Sequence, residues 1–286
     1  MQTAHHLQPG ITAQNIQPAH IPLHFHQPDS LSPNNTYQQF PRPRKYQTFK
    51  HPNSNNPNRI TETDCLLQRN GYSIHLVNSL KQRIKASTLI KRMYASRGYQ
   101  TENTSVFSTS SNQYTLEARR SRQLIGTLTL TIDSDDGLLA DTLYKKELDQ
   151  FRKQGRKLFE VSKLAFSPET SSKEIFACIF HTAHILGHYL HDASDAVVEI
   201  NPRHAVFYKR MLGFKQIGEL RTCPRVDAPA VLLQLNMEYM KEQIAALAER
   251  TEYKSRSIYP YFVSKNKEKE IIHIIQERQA NPISSI

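Results

Sequence analysis

Glu160-Val-Ser162-Lys163-Leu164-Ala165 is the segment whose residue types and spacing could do chemistry. The run from Leu158 to Phe166 is apolar enough for a central strand. Period-two alternation sends Glu160, Ser162 and Leu164 to one face and Val161, Lys163 and Ala165 to the other. A carboxylate inside a central strand is unusual, because such a side chain is rarely buried unless it is paired or used. Burial disfavours its charged form and lifts its pKa towards working pH, which suits a general base. An ordinary ion pair is the other role the same residues could fill.

A second segment joins a strand to a short helix: Val198-Glu199-Ile200-Asn201-Pro202-Arg203-His204, then Ala205 to Leu212 at helical spacing, with Gly213 as the stop. Tyr208 in that helix is either a packed aromatic or, if oriented, a phenol that donates a proton at neutral pH. The order of strand, helix and glycine resembles the second half of the GNAT acyltransferase signature. The resemblance implies two adjacent strands, Leu158 to Phe166 and Ala196 to Ile200, that splay apart after a bulge. In that family the freed backbone holds a pantetheine arm and an amide polarises the thioester carbonyl. Tyr208 matches the tyrosine that protonates the departing thiolate in many of these enzymes.

GNAT enzymes that use free coenzyme A place an Arg/Gln-x-x-Gly-x-Gly/Ala loop before the long helix, so that backbone NH groups can meet the pyrophosphate. This chain has Pro168-Glu-Thr-Ser-Ser-Lys173-Glu174 there, with no glycine and with Glu169 and Glu174 adding negative charge. An acyl carrier protein suits such a site better. It is acidic, and it presents a phosphopantetheine arm with a single phosphate.

Two GNAT-like families take that donor, the acyl-homoserine lactone synthases and the FeeM-type long-chain N-acyl amino acid synthases. Both carry a Glu-x-Ser-Arg-like strand, which Glu160-Val-Ser162-Lys163 is similar to, with lysine where arginine is common. Resemblance to the second family is wider. It takes in Asp136-Gly-Leu-Leu, the helix from Tyr144 to Arg156, Glu160 to Phe166, Asn201 to Phe214, and Pro224-Arg225-Val-Asp-Ala-Pro229-Ala-Val-Leu-Leu233. By that resemblance Glu160 accepts a proton from an amino acid's ammonium, and an apolar cleft takes the acyl tail. Arg225 or Lys163 holds the amino acid's carboxylate, and Ala165, Phe166 and Arg203 are further substrate-binding positions. Arg225 has the bidentate fork that favours carboxylates, although a solvated loop arginine is its plainer role. No cofactor is expected to stay bound, since the acyl-phosphopantetheine thioester arrives with its carrier. An autoinducer synthase is the runner-up. That family grips S-adenosylmethionine with an N-terminal Arg and Phe/Trp cluster, and this chain has no tryptophan. A non-catalytic GNAT-like module that senses acyl groups or docks a partner is the third reading.

The elements that must position these residues can be read from periodicity. Strands are expected at Tyr72–Val77, Gln113–Glu117, Leu124–Ile132, Leu158–Phe166, Ala196–Ile200, Lys215–Leu220 and Val231–Met237, with Arg119, Arg120 and Arg122 at a turn. Helices are expected near 81–97, carrying Ile84, Leu89, Ile90 and Met93, and near 140–154, 173–191, 205–212, 238–250 and 267–279. The fold class is α/β (α+β): a GNAT-like mixed, mostly antiparallel sheet flanked by helices. The expected organisation is a disordered tail over 1–65, an acyltransferase domain over 66–240 and a helical extension over 241–286.

The tail holds nine of the 15 prolines and is rich in Gln, Asn and His, with too little apolar surface to offset the entropy of ordering. The basic stretch Arg42-Pro-Arg44-Lys45 within it reads as a solubilising or docking patch. No run of about 18 apolar residues suggests an integral membrane segment, and no secretory signal is evident. Three widely spaced cysteines, Cys65, Cys178 and Cys223, argue against a disulfide framework or zinc site and fit a reducing cytoplasm. A formal charge of +11 points to an acidic partner, and no nucleic-acid motif accompanies it. His181, His184, His188 and His191 form a stripe on the long helix, with His184 and His188 at metal-ligand spacing. The stripe is set about a quarter-turn off the apolar face and lacks the glutamate of a His-Glu-x-x-His site, so no metal is expected.

Overall fold

The computed structural model describes residues 64–280, apart from residues 70, 103–105, 107–111, 169–171, 251 and 253–255. The tail histidines, Arg42-Pro-Arg44-Lys45 and Glu169 lie outside the described residues, as does the expected tail up to residue 63.

Among the described residues nine strands make the sheet: β1 (Cys65–Arg69), β2 (Tyr72–Leu76), β3 (Gln113–Arg120), β4 (Gln123–Ile132), β5 (Leu158–Phe166), β6 (Asp195–Ile200), β7 (Lys215–Gln216), β8 (Arg221–Cys223) and β9 (Ala228–Asn236). Their order is β1-β2-β3-β4-β5-β6-β9-β7, with β8 paired to β9. Every pairing is antiparallel except β5 with β6. The helices are α1 (Leu80–Ala95), α2 (Asp141–Lys153), α3 (Lys173–His184), α4 (Ala205–Leu212), α5 (Met237–Leu247) and α6 (Lys265–Ala280). This is the mixed, mostly antiparallel sheet flanked by helices that the sequence pattern requires.

Local chemistry sets the helix ends. Ser79 and Gln82 form a reciprocal capping box at the start of α1, and Ser172 and Asn236 accept backbone NH groups at the starts of α3 and α5. Gly213, at φ 85°, closes α4 in the left-handed region that glycine enters without a Cβ penalty.

The pleat sorts the core into layers. Phe159, Val161, Ala196, Val198, Leu233 and Leu235 pack with α3. Leu158, Val197 and Leu232 pack on the opposite face with Tyr144 and Leu148 of α2. The Tyr144 hydroxyl donates to Glu219 O at 2.9 Å or Ala230 O at 2.8 Å, which pins α2 to β9 and to the segment before β8.

Several expectations need correction. β1 is an additional strand, unannounced by its short pattern because its residues acquire partners only across β2. Arg119 and Arg120 belong to β3, whose pairing runs on to Arg120↔Gln123, so the turn is Ser121-Arg122. Ile84 is 50% exposed, whereas Gln82 is buried because its amide serves the cap and Glu117. The strand expected over Lys215–Leu220 stops at Gln216, after which Ile217 N and Gly218 N both donate to Leu232 O. Gly218 lies so close to the Tyr144 ring that a Cβ there would collide with it.

The long helix is not half-exposed. Residues 175–184 are buried all round, because Tyr259, Phe262, Val263, Ile271 and Ile275 of the C-terminal segment join the same core cluster and cover its outer side.

Candidate active site

The parallel ladder between β5 and β6 is brief. Leu158↔Asp195, Phe159↔Ala196 and Glu160↔Val197 pair, and beyond them β5 runs on to Phe166 and β6 to Ile200 without pairing each other. The strands diverge because β5 is held by β4 on one side and β6 by β9 on the other. Each therefore presents an inner edge of backbone groups not used by the other strand.

A bulge opens the same region. Thr129 pairs with Ser162 but Thr127 pairs with Ala165, so Lys163 and Leu164 oppose one residue of β4, with Lys163 at φ 50°. Strict alternation therefore fails beyond Ser162. Val161 packs with α3, whereas Ala165 packs with Ala86 and Ile90 of α1, and Phe166 turns to Phe176 of α3. Gly126, the β4 partner of Phe166, makes room for that ring, since a Cβ would strike it.

A cavity of about 480 Å³ occupies the seam. Its walls come from both faces of the sheet, with Met93 and Tyr94 of α1 on one side and Phe176, Phe207 and Tyr208 of α3 and α4 on the other. All seven residues singled out in the sequence, Glu160, Lys163, Ala165, Phe166, Arg203, Tyr208 and Arg225, line it.

Glu160 is 1% exposed and accepts the Ala140 amide at 3.3 Å. Burial, reinforced by the neighbouring Glu199 carboxylate, raises its pKa to about 7, while Ala140 NH and Arg225 act in the opposite direction. Its carboxyl thus exchanges a proton near neutrality. Lys163, on the same strand, is held below its usual value by burial, with Glu160 opposing the shift.

Arg225 lies in the turn before β9. It donates to Leu139 O at 2.8 Å and to Glu199 Oε1 at 2.7 Å, so much of its fork already has partners. Burial alone would weaken its hold on its proton, but Glu199 more than offsets this. Tyr208 is 6% exposed, and burial and then Tyr94 raise its pKa, so the phenol keeps its proton and remains a donor. Arg203 stands at the exposed rim, where it stacks over Tyr99 and hydrogen-bonds its hydroxyl.

Sequence reasoning passed over Glu199, although it lay inside a quoted motif. It is a second carboxylate in a central strand, so the argument applied to Glu160 would have found it. Among the described residues, the buried side-chain polar atoms without a hydrogen-bond partner are His75 Nδ1, Ser162 Oγ, His184 Nε2 and Glu199 Oε2, and Ser162 and Glu199 line the cavity. Tyr94, Tyr99 and Cys223 were also missed. Burial and the adjacent Glu199 push the Cys223 thiol up to about 11.

The histidine stripe is divided: His181 and His184 are buried in the core, whereas His188 and His191 are half-buried. His181 Nε2 meets Glu268 at 3.0 Å and its Nδ1 accepts Val263 NH, which ties α6 to α3. His188 contacts Ala193 O, and His191 contacts the Tyr114 hydroxyl. Among the described residues no group of three or more His, Cys, Asp or Glu side chains could hold a metal ion, and no helix is long and apolar enough to cross a membrane.

The sequence model of the family described as N-acyl amino acid synthase FeeM matches residues 85–236. Among solved structures, FeeM, an N-acyl amino acid synthase from uncultured soil microbes, is 26% identical. The match covers 60% of this chain and 93% of that one, with a TM-score of 0.55. An acyl-CoA N-acyltransferase from Pseudomonas aeruginosa is 14% identical over 57% of this chain and 98% of its own, with a TM-score of 0.41. The AHL synthase LasI is 10% identical over 58% and 89%, with a TM-score of 0.40. No curated protein matches the chain.

Proposed function

Because the chain belongs to the N-acyl amino acid synthase FeeM family and is an N-acyltransferase, we propose that its donor is a long-chain acyl carrier protein thioester and its acceptor an amino acid's amino group. The observation behind this reading is Glu160, a buried carboxyl with a pKa of about 7 at the foot of an open strand seam, facing a cavity with largely apolar walls.

Catalysis needs a free amine, because an ammonium has no lone pair. Glu160 accepts the ammonium proton, and the amine nitrogen attacks the thioester carbonyl carbon. An amide on the inner edge of β5 beyond the bulge stabilises the oxyanion. The carbon–nitrogen bond forms, the carbon–sulfur bond breaks, the thiolate takes its proton from Tyr208, and the second proton that the nitrogen sheds on becoming an amide goes to solvent, from which Tyr208 regains its own. The donor's arm lies in the seam and its acyl chain against the apolar wall by Phe166 and Phe176. Arg225 keeps its place as the carboxylate-binding residue, with the donors that Glu199 and Leu139 leave over; Lys163, Ala165 and Arg203 contribute to the donor's path.

Two features favour a carrier over free coenzyme A. The N-terminus of α3 follows a glycine-free sequence and is capped by Ser172. Exposed Lys91 and Arg92 of α1 and Lys209 and Arg210 of α4, next in the chain to the cavity-lining Met93 and Tyr208, give an acidic carrier basic ground at the cavity's edge. Such a reaction suits the cytoplasm, where carrier-bound acyl chains and free amino acids meet.

The purified protein, given long-chain acyl carrier protein and each of the twenty amino acids, is expected to form an acyl amide detectable by mass spectrometry. Acylation from acyl-CoA alone, or a lactone product with S-adenosylmethionine, would replace this reading.

A further inference from the structure

The acceptor must dock as an ammonium before it can react as an amine. Two carboxylates serve the cavity on the same face of the sheet. Glu160 follows Leu158 by two residues on β5, and Glu199 follows Val197 by two on β6; Leu158 and Val197 both pack towards α2. Their hydrogen bonding divides the work. Glu199 Oε1 is taken by Arg225 at 2.7 Å and the Cys223 thiol adjoins the carboxylate, while Oε2 is buried without a hydrogen-bond partner and the side chain is only 6% exposed. A buried, unmet carboxylate oxygen costs free energy unless a donor arrives to meet it. Ser162 Oγ is another cavity-lining polar atom with no hydrogen-bond partner.

We propose that Glu199 is the docking residue for the acceptor's ammonium: Oε2 takes one N–H of the incoming amino acid, and Arg225 lies next to it for the carboxylate. The adjacent anion and cation of the Glu199–Arg225 pair match a zwitterion, so the ligand class is a free α-amino acid with an unblocked nitrogen. The ammonium held on Glu199 then gives its proton to Glu160. This inference rests on the proposed function, but it concerns a different residue and a different step.

Glu199 also sets the acidity of Glu160. The groups facing Glu160 are Glu199 from β6, Arg225 from the turn before β9, Lys163 from its own strand, and the backbone NH groups of Leu139 and Ala140. Glu199 raises the Glu160 pKa and Arg225 lowers it. Neutralising Glu199 therefore moves the acid limb of the rate profile to lower pH.

The test is Glu199→Gln in the full chain, with Glu199→Asp as a second variant that keeps the charge on a shorter arm. Free amino acids and their N-acetyl derivatives are titrated by calorimetry, and steady-state rates are taken from pH 5 to 9. Glu199→Gln is expected to raise KM for the amino acid by roughly tenfold or more, with a smaller change in kcat. It should also abolish the preference for the free amine over its N-acetyl form and shift the acid limb downwards. Glu199→Asp should fall between wild type and Glu199→Gln on each measure. An unchanged KM and an unchanged preference for the free amine, even with the acid limb shifted, would overturn the docking role while leaving the proposed function intact. If the wild type acylates no amino acid, the proposed function fails, and the calorimetric preference for an unblocked nitrogen still decides for or against Glu199.

Discussion

Glu117 in β3 and Glu160 in β5 are carboxylates inside strands of one sheet, and each is 1% exposed. Burial raises the pKa of both. Their surroundings then differ. Glu117 is met by the Arg119 guanidinium and the Gln82 amide, which pull its pKa back down and use its lone pairs. Glu160 accepts the Ala140 amide at 3.3 Å and is drawn down by Arg225 and the Leu139 NH, but a second carboxylate pushes its pKa further up and a cavity lies in front of it. A buried strand carboxylate is therefore not in itself a sign of chemistry. Chemistry needs an acid whose proton has somewhere to go.

The strongest way to break this contrast is Glu160→Gln. Turnover with acyl carrier protein and amino acid should fall roughly 10²- to 10⁴-fold, the usual worth of a positioned general base, while circular dichroism stays native. Glu117→Gln should leave turnover per folded molecule unchanged, and a comparable loss there would erase the distinction.

Next in size is pH dependence. The folded-state pKa of Glu160, about 7, lies above its ordinary 4.5, so the native state holds the proton more tightly than the unfolded chain does. The stability this contributes is complete below about 4.5 and is lost as pH rises through about 7, amounting to roughly 2–4 kcal/mol for a shift of this size. Urea denaturation at pH 4 and pH 8 should show wild type losing that much more stability than Glu160→Gln. Over the same range kcat/KM should rise with pH and level off above about 7, as the base ionises.

Glu117→Ala tests the other side. It strands Arg119 and Gln82, and the denaturation midpoint should report a loss of about 1–3 kcal/mol with KM unchanged. The smallest effect is expected for Tyr208→Phe. It keeps the ring packed against Phe180 and Phe214 but removes the proton for the departing thiolate, lowering kcat by roughly tenfold, less than the usual 10²- to 10⁴-fold of a general acid because a thiolate leaves with little help. A donor with a more acidic thiol should restore part of that loss.

The strand Leu158–Phe166 and the helix Ala205–Leu212 with Gly213 were legible because their signals are local: apolar periodicity, a capping glycine, a turn. So was the choice of Glu160 as a carboxylate out of place. A bulge was expected from the family resemblance, but its place at Lys163 was not legible, because nothing about lysine favours φ 50°; it shows only in the pairing with Thr127 and Thr129 of β4. Nor was the depth of His181 and His184, since the surface that buries them comes from residues 258–275, far along the chain. Glu199 carried the same signal as Glu160, a carboxylate in a central strand, but what sets both apart from Glu117 was hidden, since sequence does not show whether an arginine or a cavity faces such a side chain.

The three-pair seam also governs how the molecule is built. β1 to β5 pair in chain order, and β6 pairs with β9, so each half can form with its own neighbours. Within the sheet the halves are joined where Leu158–Glu160 pair with Asp195–Val197, after the chain has crossed over through α3. Non-local parallel pairing of this kind is slow, because loop closure comes before any reward in contacts. Glu160 and Glu199 sit on opposite sides of that last joint. In refolding from urea, strand ellipticity should return first and acyl transfer only in a later phase, with a long-lived molecule that has its sheet but no active site in between.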